Sequence, residues 1–524
     1  MDNNQNPQDR QQLQQDGAAF SRRSFIKIAG SAVAVSGAAA AGCTGKPAGG
    51  EGWIPTQYEK IGNVLPQLRG RVPIDPQNPS IQRDDEKCIL CGQCAEVCEK
   101  AEAVMHHYEL PLIDDVPCIH CGQCTLWCPT GAITEKDDTE KFLHALADPD
   151  LHVVVQTAPS TRVGLGEEFG LPAGTNVEGK QVAALRALGV KTVLDTNFAA
   201  DLTIMEEAME LVQRITKKKD APIPQFTSCC PGWVKFCEMF YPELIPNLSS
   251  ARSPMGMLGP VIKTYYADKN KIDPAKIVSV SIMPCTAKKF ECSRPEMNNA
   301  GVKIGKPEIR DTDLVITTRE LARMIKMKGI DLLKLKDSKY DSYLSDYSGG
   351  GAIFGCSGGV MEAAIRTGYY FATKQNPPAA LLNWKPVRGL DGIKHAEAEV
   401  PGVGTLRVAV VSGMANAKKV LEKVKDGSEK WHFIEFMACP GGCISGGGQP
   451  KTATSQLDAV RAARTAQLYT LDERCTVRLC HENPEIKRIY EDYFKEPCGE
   501  LSHHLLHTHH YDDRSRHFTA KKPS

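Results

Sequence analysis

Net charge is what this 524-residue sequence most plainly lacks: 63 Lys and Arg offset 63 Asp and Glu. Without an excess of positive charge it has no bulk electrostatic hold on nucleic acid, and that class of partner is set aside. Beyond one mildly apolar segment near its start, no hydrophobic run approaches the roughly 18–20 residues that span a bilayer. The low hydrophobicity and high charge of a disordered chain are also missing. The composition, 42% hydrophobic and 24% charged, is that of an ordinary soluble globular protein. At ~150 residues per domain the length allows three to four domains. No C-x-x-C-H occurs, which excludes c-type haem attachment: His481 follows Cys480, but position 477 is Val. Cysteine is plentiful, at 20 residues. That is too dilute for a small disulfide scaffold. Spacing has to decide between disulfides, metal ligands and core thiols.

Residues 1–20 are rich in Gln, Asn and Asp and read as unstructured. Arg22 and Arg23, then Phe25 and a small-residue apolar run from Ile28 to Gly42, resemble a twin-arginine export signal. Cleavage would follow Ala39-x-Ala41. Alternatively, Ala40-Ala41-Gly42-Cys43 is a weak lipoprotein box that would lipidate Cys43, with Ala where Leu is usual. Twin-arginine export carries proteins already folded, so the signal itself points to a cofactor inserted before export and to a periplasmic location.

Residues 44–80 hold many Pro, Gly and Gln and read as a linker. From residue 151 strand and helix patterns alternate. Leu151–Val155, Lys191–Asp195, Ile277–Met283 and Leu406–Val411 have strand character, while Val182–Leu188 and Thr203–Lys217 read as helices. Such alternation implies an α/β body with parallel sheets. Helix-forming polar sequence follows at Asp458–Leu468 and Pro484–Phe494, ahead of a His-rich tail.

One repeat carries chemistry. Cys88, Cys91, Cys94 and Cys98 follow C-x2-C-x2-C-x3-C, and Cys118, Cys121, Cys124 and Cys128 repeat it, with Pro129 after the second set and Glu99 after the first. Three Cys at steps of three let one tight loop aim successive sulfurs at a single cubic cluster. Zinc needs only ligand pairs set far apart. The repeat resembles a bacterial two-cluster ferredoxin, in which the fourth Cys crosses to the other cluster. That resemblance implies one [4Fe–4S] cluster on Cys88, Cys91, Cys94 and Cys128, and a second on Cys118, Cys121, Cys124 and Cys98.

Three further segments each read as a loop after a strand, with Cys beside Pro or Gly. They are Thr227-Ser228-Cys229-Cys230-Pro231-Gly232-Trp233, Met283-Pro284-Cys285-Thr286-Ala287-Lys288 and Phe436-Met437-Ala438-Cys439-Pro440-Gly441-Gly442-Cys443. Their glycines let backbone approach a bulky ligand. With these three in order, residues 80–510 resemble the [FeFe]-hydrogenase family. The resemblance implies an α/β body of two parallel-sheet lobes with an H-cluster between them, a ferredoxin-like α+β domain and a helical C-terminal segment. It divides the chain into a signal (1–43), linker (44–80), two-cluster domain (81–140), catalytic domain (150–450), small-subunit-like helices (451–510) and a flexible tail (511–524).

The implied H-cluster is a [4Fe–4S] cubane joined through one thiolate to a two-iron unit carrying CO, cyanide and a bridging dithiolate amine. By motif position its ligands are Cys230, Cys285, Cys439 and Cys443, with Cys443 bridging. Lys288 and Ser160, the latter after Pro159, stand where the family places donors to the cyanides. Met283 and Met437 pack beside the unit or fill core. Cys229 is the implied first proton carrier, followed by a water, Glu207, Ser249 and Glu210. The two carboxyls lie three apart on one helix face, and a buried Glu with a raised pKa suits such a shuttle. Glu206 is expected to solvate its helix. Intact Cys229, Lys288, Glu207 and Gln449 argue against an iron–sulfur assembly scaffold. No signalling domain supports a hydrogen sensor, and a plain electron-transfer protein needs only residues 81–140.

The implied activity is reversible oxidation of dihydrogen to protons and electrons. Its implied partners are a periplasmic multihaem cytochrome c or a ferredoxin, together with maturation proteins for the two-iron unit. Membrane association would come only from lipidated Cys43. Of the remaining cysteines, Cys237, Cys292 and Cys356 read as buried thiols, and a disulfide is open among Cys475, Cys480 and Cys498. His503, His504, His507, His509 and His510 read as a solvated tail without function.

Overall fold

The computed structural model describes residues 70–105 and 116–514. The expected signal, its cleavage site and Cys43 lie outside these residues. Among the described residues no helix is long and apolar enough to cross a membrane.

The first unit is small. Strands β1 (Ile81–Arg83) and β2 (Ile133–Glu135) pair antiparallel and flank helices α1 (Gln93–Lys100) and α2 (Gln123–Trp127). Each helix starts behind a glycine in the left-handed region, Gly92 at φ 79° and Gly122 at φ 71°. At Gly122 space is limiting as well as φ: a Cβ there would collide with the Thr286 hydroxyl.

Eight more strands follow: β3 (His152–Thr157), β4 (Thr192–Asp195), β5 (Gln225–Phe226), β6 (Ile277–Met283), β7 (Leu314–Thr317), β8 (Ile393–Val400), β9 (Gly404–Ser412) and β10 (Phe433–Met437). They form two sheets, one ordered β4-β3-β6-β7 and parallel throughout. The other is ordered β5-β10-β9-β8, parallel except for its β8 edge. Val153, Val154 and Val155 are all buried, as expected of a strand covered on both faces. By contrast β8 alternates buried and exposed positions along its length, with Ala396, Ala398 and Val400 inward. The α/β body of two sheet lobes is therefore present, with an antiparallel hairpin added to one of them.

Helix α3 (Thr196–Ile215) begins seven residues before the expected start at Thr203. The Asp195 carboxylate caps it by accepting the Asn197 N–H. Its first turns are buried on every side, so they carry no amphipathic period to read. Helices α4 (Pro231–Phe240) and α5 (Ala287–Ser293) follow two of the cysteine loops. The C-terminal helices are α6 (Leu457–Arg474), α7 (Pro484–Ile489) and α8 (Glu500–Leu506).

Beyond α8 the chain does not lie free in solvent. His507 forms an antiparallel bridge with Ala251, and the Asp513 carboxylate pairs with Lys235. His507 and Asp513 are buried. For His507 and Asp513 this corrects the expectation of a solvated tail, whereas His503, His504 and His509 are exposed as expected; residues 515–524 lie outside the described residues. The disulfide left open is not formed either: Cys475, Cys480 and Cys498 are all free thiols.

Candidate functional site

Four loops that leave the carboxyl ends of parallel strands converge between the two sheets. Pro159 and Ser160 follow β3, Cys229 and Cys230 follow β5, Cys285 follows β6, and Cys439 and Cys443 follow β10. Carboxyl edges of parallel sheets are where α/β folds place ligands. Together these loops line a cavity of about 730 Å³. Met283, Met437 and Lys288 line it too, so every residue expected at the large centre, apart from the outer relay, faces one space.

Cys230 ends its loop as the N-cap of α4, with Pro231 in the first helical position. Cys443 follows Gly441 and Gly442, at φ 81° and 95°. A Cβ on Gly442 would stand 2.6 Å from the Ser357 nitrogen and 2.9 Å from the Met437 sulfur, so only glycine fits. Burial raises all four thiols, Cys285 to about 12, and the neighbouring sulfurs push Cys285, Cys439 and Cys443 further the same way. Such a cluster is unfavourable to ionise unless a metal supplies the opposing charge.

The polar lining is sparse. Ser160 is fully buried and its hydroxyl has no hydrogen-bond partner among the described residues. Thr196 directs its own hydroxyl to Gln156, 3.0 Å away. Lys288 donates to the Cys229 carbonyl at 3.2 Å and to Glu291 at 2.5 Å. Burial works against the Lys288 charge, but the Glu291 carboxylate outweighs it and holds the ammonium above its ordinary value. Four clustered thiols, one orphaned hydroxyl and one fixed cation in an otherwise apolar space fit a thiolate-held metal group with anionic ligands.

Cys229 lies at the edge of this cavity. Its thiol is raised well above the ordinary value, first by burial and then by the Glu207 charge. Glu207 is buried on α3, and its Oε2 has no hydrogen-bond partner among the described residues. Burial, then the neighbouring Glu210, push its carboxyl up to about 8. Glu210 goes the opposite way. Burial would raise it, but Arg214 and Lys219, 2.8 and 2.6 Å from Oε1, bring it down to about 2. Its Oε2 accepts the Ser249 hydroxyl at 2.7 Å and the Ser250 N–H at 3.1 Å. The expected relay residues are thus gathered, but the two carboxyls have unlike charge states. Arg214, four residues after Glu210 on the same face, was a readable signal for this; Lys219, beyond the helix end, was not.

Glu206 does not solvate its helix. It is fully buried and accepts the Tyr490 hydroxyl, the Cys498 N–H at 2.6 Å and, at 3.0 Å, a contact from His507 Nε2. Through its other nitrogen His507 lies 2.9 Å from the Ser250 hydroxyl. The C-terminal segment therefore closes over the outer end of the relay.

In the small unit a second cavity, about 470 Å³, is lined by Cys98, Cys118, Cys121 and Cys124. These are the four that the crossover pattern puts together. Cys94 interacts electrostatically with Cys91 and Cys128, members of the other set, and Cys88 is partly buried. Backbone N–H groups reach sulfur at Cys94 from Val72 (3.4 Å), at Cys118 from His120 (3.3 Å) and at Cys128 from Ile133 (3.4 Å). Gln123 donates to the Ser445 carbonyl at 2.8 Å and Thr125 to that of Gly447 at 2.9 Å, which holds this unit against the large cavity. A side chain on Gly447 would run into the Cys121 carbonyl.

Residues 151–447 match the family described as iron only hydrogenase large subunit, C-terminal domain. The chain belongs to the iron-only hydrogenase family. Residues 458–513 match the iron hydrogenase small subunit, and residues 81–100 a 4Fe–4S binding domain. Iron hydrogenase 1 of Clostridium pasteurianum is 44% identical over 449 residues, 83% of this chain and 76% of that protein. The periplasmic [Fe] hydrogenase large subunit of Nitratidesulfovibrio vulgaris is 47% identical over 375 residues, 71% of this chain and 86% of that one. A solved [FeFe]-hydrogenase HydA1 from Chlamydomonas reinhardtii is 41% identical with a TM-score of 0.62, covering 71% of this chain and 98% of its own. This iron hydrogenase, an oxidoreductase built on iron–sulfur clusters, thus carries large- and small-subunit regions on one polypeptide.

Proposed function

We propose that this hydrogenase oxidises dihydrogen reversibly to two protons and two electrons at the large cavity. The observation that carries the reading is the convergence of four buried thiols with an orphaned Ser160 hydroxyl and a fixed Lys288 ammonium. Cys230, Cys285, Cys439 and Cys443 would hold the H-cluster, which when bound supplies the metal centre for dihydrogen cleavage. Ser160 and Lys288 would donate to its cyanides, while Pro159, Met283 and Met437 keep water from its surroundings. Cys88, Cys91, Cys94 and Cys128 would hold one electron-carrying cubane, and Cys98, Cys118, Cys121 and Cys124 another. The electron partner we favour is a periplasmic cytochrome c, in keeping with the Arg22-Arg23 export motif, with a ferredoxin as the second choice. Infrared spectra of the purified, matured protein test the reading. Carbonyl and cyanide stretching bands are expected, and their absence from protein with full iron content would reject it.

Protons would pass from Cys229 through a water to Glu207, then by Ser249 to Glu210. A Glu207 carboxyl lifted to about 8 is neutral below that pH and anionic above it. Dihydrogen oxidation needs the anion as acceptor, so its rate should rise as pH increases through about 8. Dihydrogen evolution needs the acid as donor and should fall over the same range. Glu207→Gln should abolish this inflection in pH–rate profiles measured in both directions. An unchanged inflection in that variant would assign it elsewhere.

A further inference from the structure

Glu102 belongs neither to the cysteine ligand sets nor to the proton relay. It is fully buried, and neither oxygen of its carboxyl has a hydrogen-bond partner among the described residues. Leaving both oxygens of a buried carboxyl unpaired is unfavourable unless a bound group completes the site. The side chain lines the second cavity together with Cys98, Cys118, Cys121 and Cys124. It also acts electrostatically on Cys439, which lines the large cavity, so it stands within reach of both.

The backbone delivers Glu102 to this place by a tight turn. Helix α1 ends there, with the Glu102 N–H on the Val97 carbonyl at 3.3 Å and the Val104 N–H on that of Cys98 at 3.1 Å. Between them Ala103 adopts φ 52°, the left-handed region that this helix ending usually gives to glycine. Ala415 N–H fixes the turn to the opposite lobe through the Ala101 carbonyl, 3.0 Å away. The side chain therefore has little freedom to leave the cavity. Among the described residues no cation is paired with it, and burial favours its uncharged acid form. A carboxylic acid carries one O–H donor.

We propose that Glu102 is a positioning residue that donates a hydrogen bond to a sulfur of the iron–sulfur cluster held by Cys98, Cys118, Cys121 and Cys124. The proposal rests on that ligand reading and goes one step past it. A donor to cluster sulfur stabilises the more negative reduced state and so raises the reduction potential. Placed at the cluster nearest the large cavity, it would make that cluster the readier acceptor of the electrons released there.

Potentiometric titration of the full chain, with its iron–sulfur clusters assembled and followed by electron paramagnetic resonance, tests this. In Glu102→Leu the reduced-to-oxidised ratio of one cluster at a fixed potential should fall about tenfold, which for a one-electron couple is 59 mV more negative. Glu102→Gln keeps an N–H donor of similar reach and should stay within about twofold of the parent. An unshifted potential in Glu102→Leu at parental iron and sulfide content would overturn the proposal and leave the ligand reading standing. A shift in Glu102→Gln as large as in Glu102→Leu would overturn the donor role. Parental protein whose iron and sulfide leave no cluster for those four cysteines would remove both.

Discussion

Replacing Cys229 by serine is expected to slow dihydrogen turnover by about 10³-fold while leaving iron content and carbonyl bands unchanged. The asymmetry follows from the residue's place. Cys229 lines the large cavity beside four thiols that share one another's field, and its own strongest charged neighbour is Glu207. It therefore faces the reaction space on one side and the relay on the other. A serine hydroxyl keeps the size and the hydrogen-bonding capacity but is a far weaker acid, so the first proton transfer loses most of its driving force. Loss of activity with loss of iron would mean that Cys229 helps to hold the cluster. Retention of more than a tenth of the turnover would reject it as the first carrier. The Glu207→Gln variant supplies the control: Glu207 does not line the large cavity, so iron content and carbonyl bands should stay unchanged while turnover falls and the inflection near pH 8 is lost.

Much of this site was readable because metal chemistry dictates residue type and spacing together. Twelve cysteines in two patterns can serve few purposes, and the loops carrying the second pattern, with Cys beside Pro or Gly, follow apolar runs such as Ile277–Met283 that are strands in the fold. What escaped was set by contacts between distant residues. Glu206 reads as a surface residue on α3, yet Tyr490, Cys498 and His507 bury it from nearly 300 positions away. Glu207 and Glu210 are equivalent by helical spacing. They separate in charge because Lys219 and Arg214 make their direct ion pairs with Glu210. Glu102 follows the fourth cysteine of a repeat whose pattern ends there, so nothing local marks it out. Strand β8 did leave a signal, its alternating Ala396, Ala398 and Val400, but Lys394, Glu397 and Glu399 conceal it from a search for apolar runs.

Exchange of Arg366 for methionine should cost the chain about 3 kcal/mol, the low end for breaking a buried ion pair. The Arg366 guanidinium is buried between two fully buried carboxylates, 2.7 Å from Glu362 and 2.9 Å from Asp472. Glu362 belongs to the large-subunit region and Asp472 to α6, within the small-subunit region. This cation therefore helps to tie the two regions together, alongside the Arg464–Glu167 pair at 2.6 Å. Methionine fills the volume but leaves both carboxylates short of a partner. Complete loss of compensation would cost nearer 5 kcal/mol. Arg388 remains on Glu362 at 2.7 Å and Arg478 on Asp472 at 2.5 Å, which is why the smaller figure applies. Asp472 gives the pH dependence its sign. Burial would raise its carboxyl, but Arg478 and Arg366 hold it below the ordinary 3.8. The contact therefore contributes fully above the ordinary carboxylate range and is lost as pH falls through the depressed folded value. Arg366→Met should accordingly be most destabilised relative to the parent near neutral pH, with the difference narrowing in acid. Denaturation midpoints at neutral and acid pH measure this, and limited proteolysis should release α6 earlier from the variant. Equal midpoints at neutral pH would mean that the apolar packing of α6, with Leu468 fully buried, holds the regions together without this ion pair.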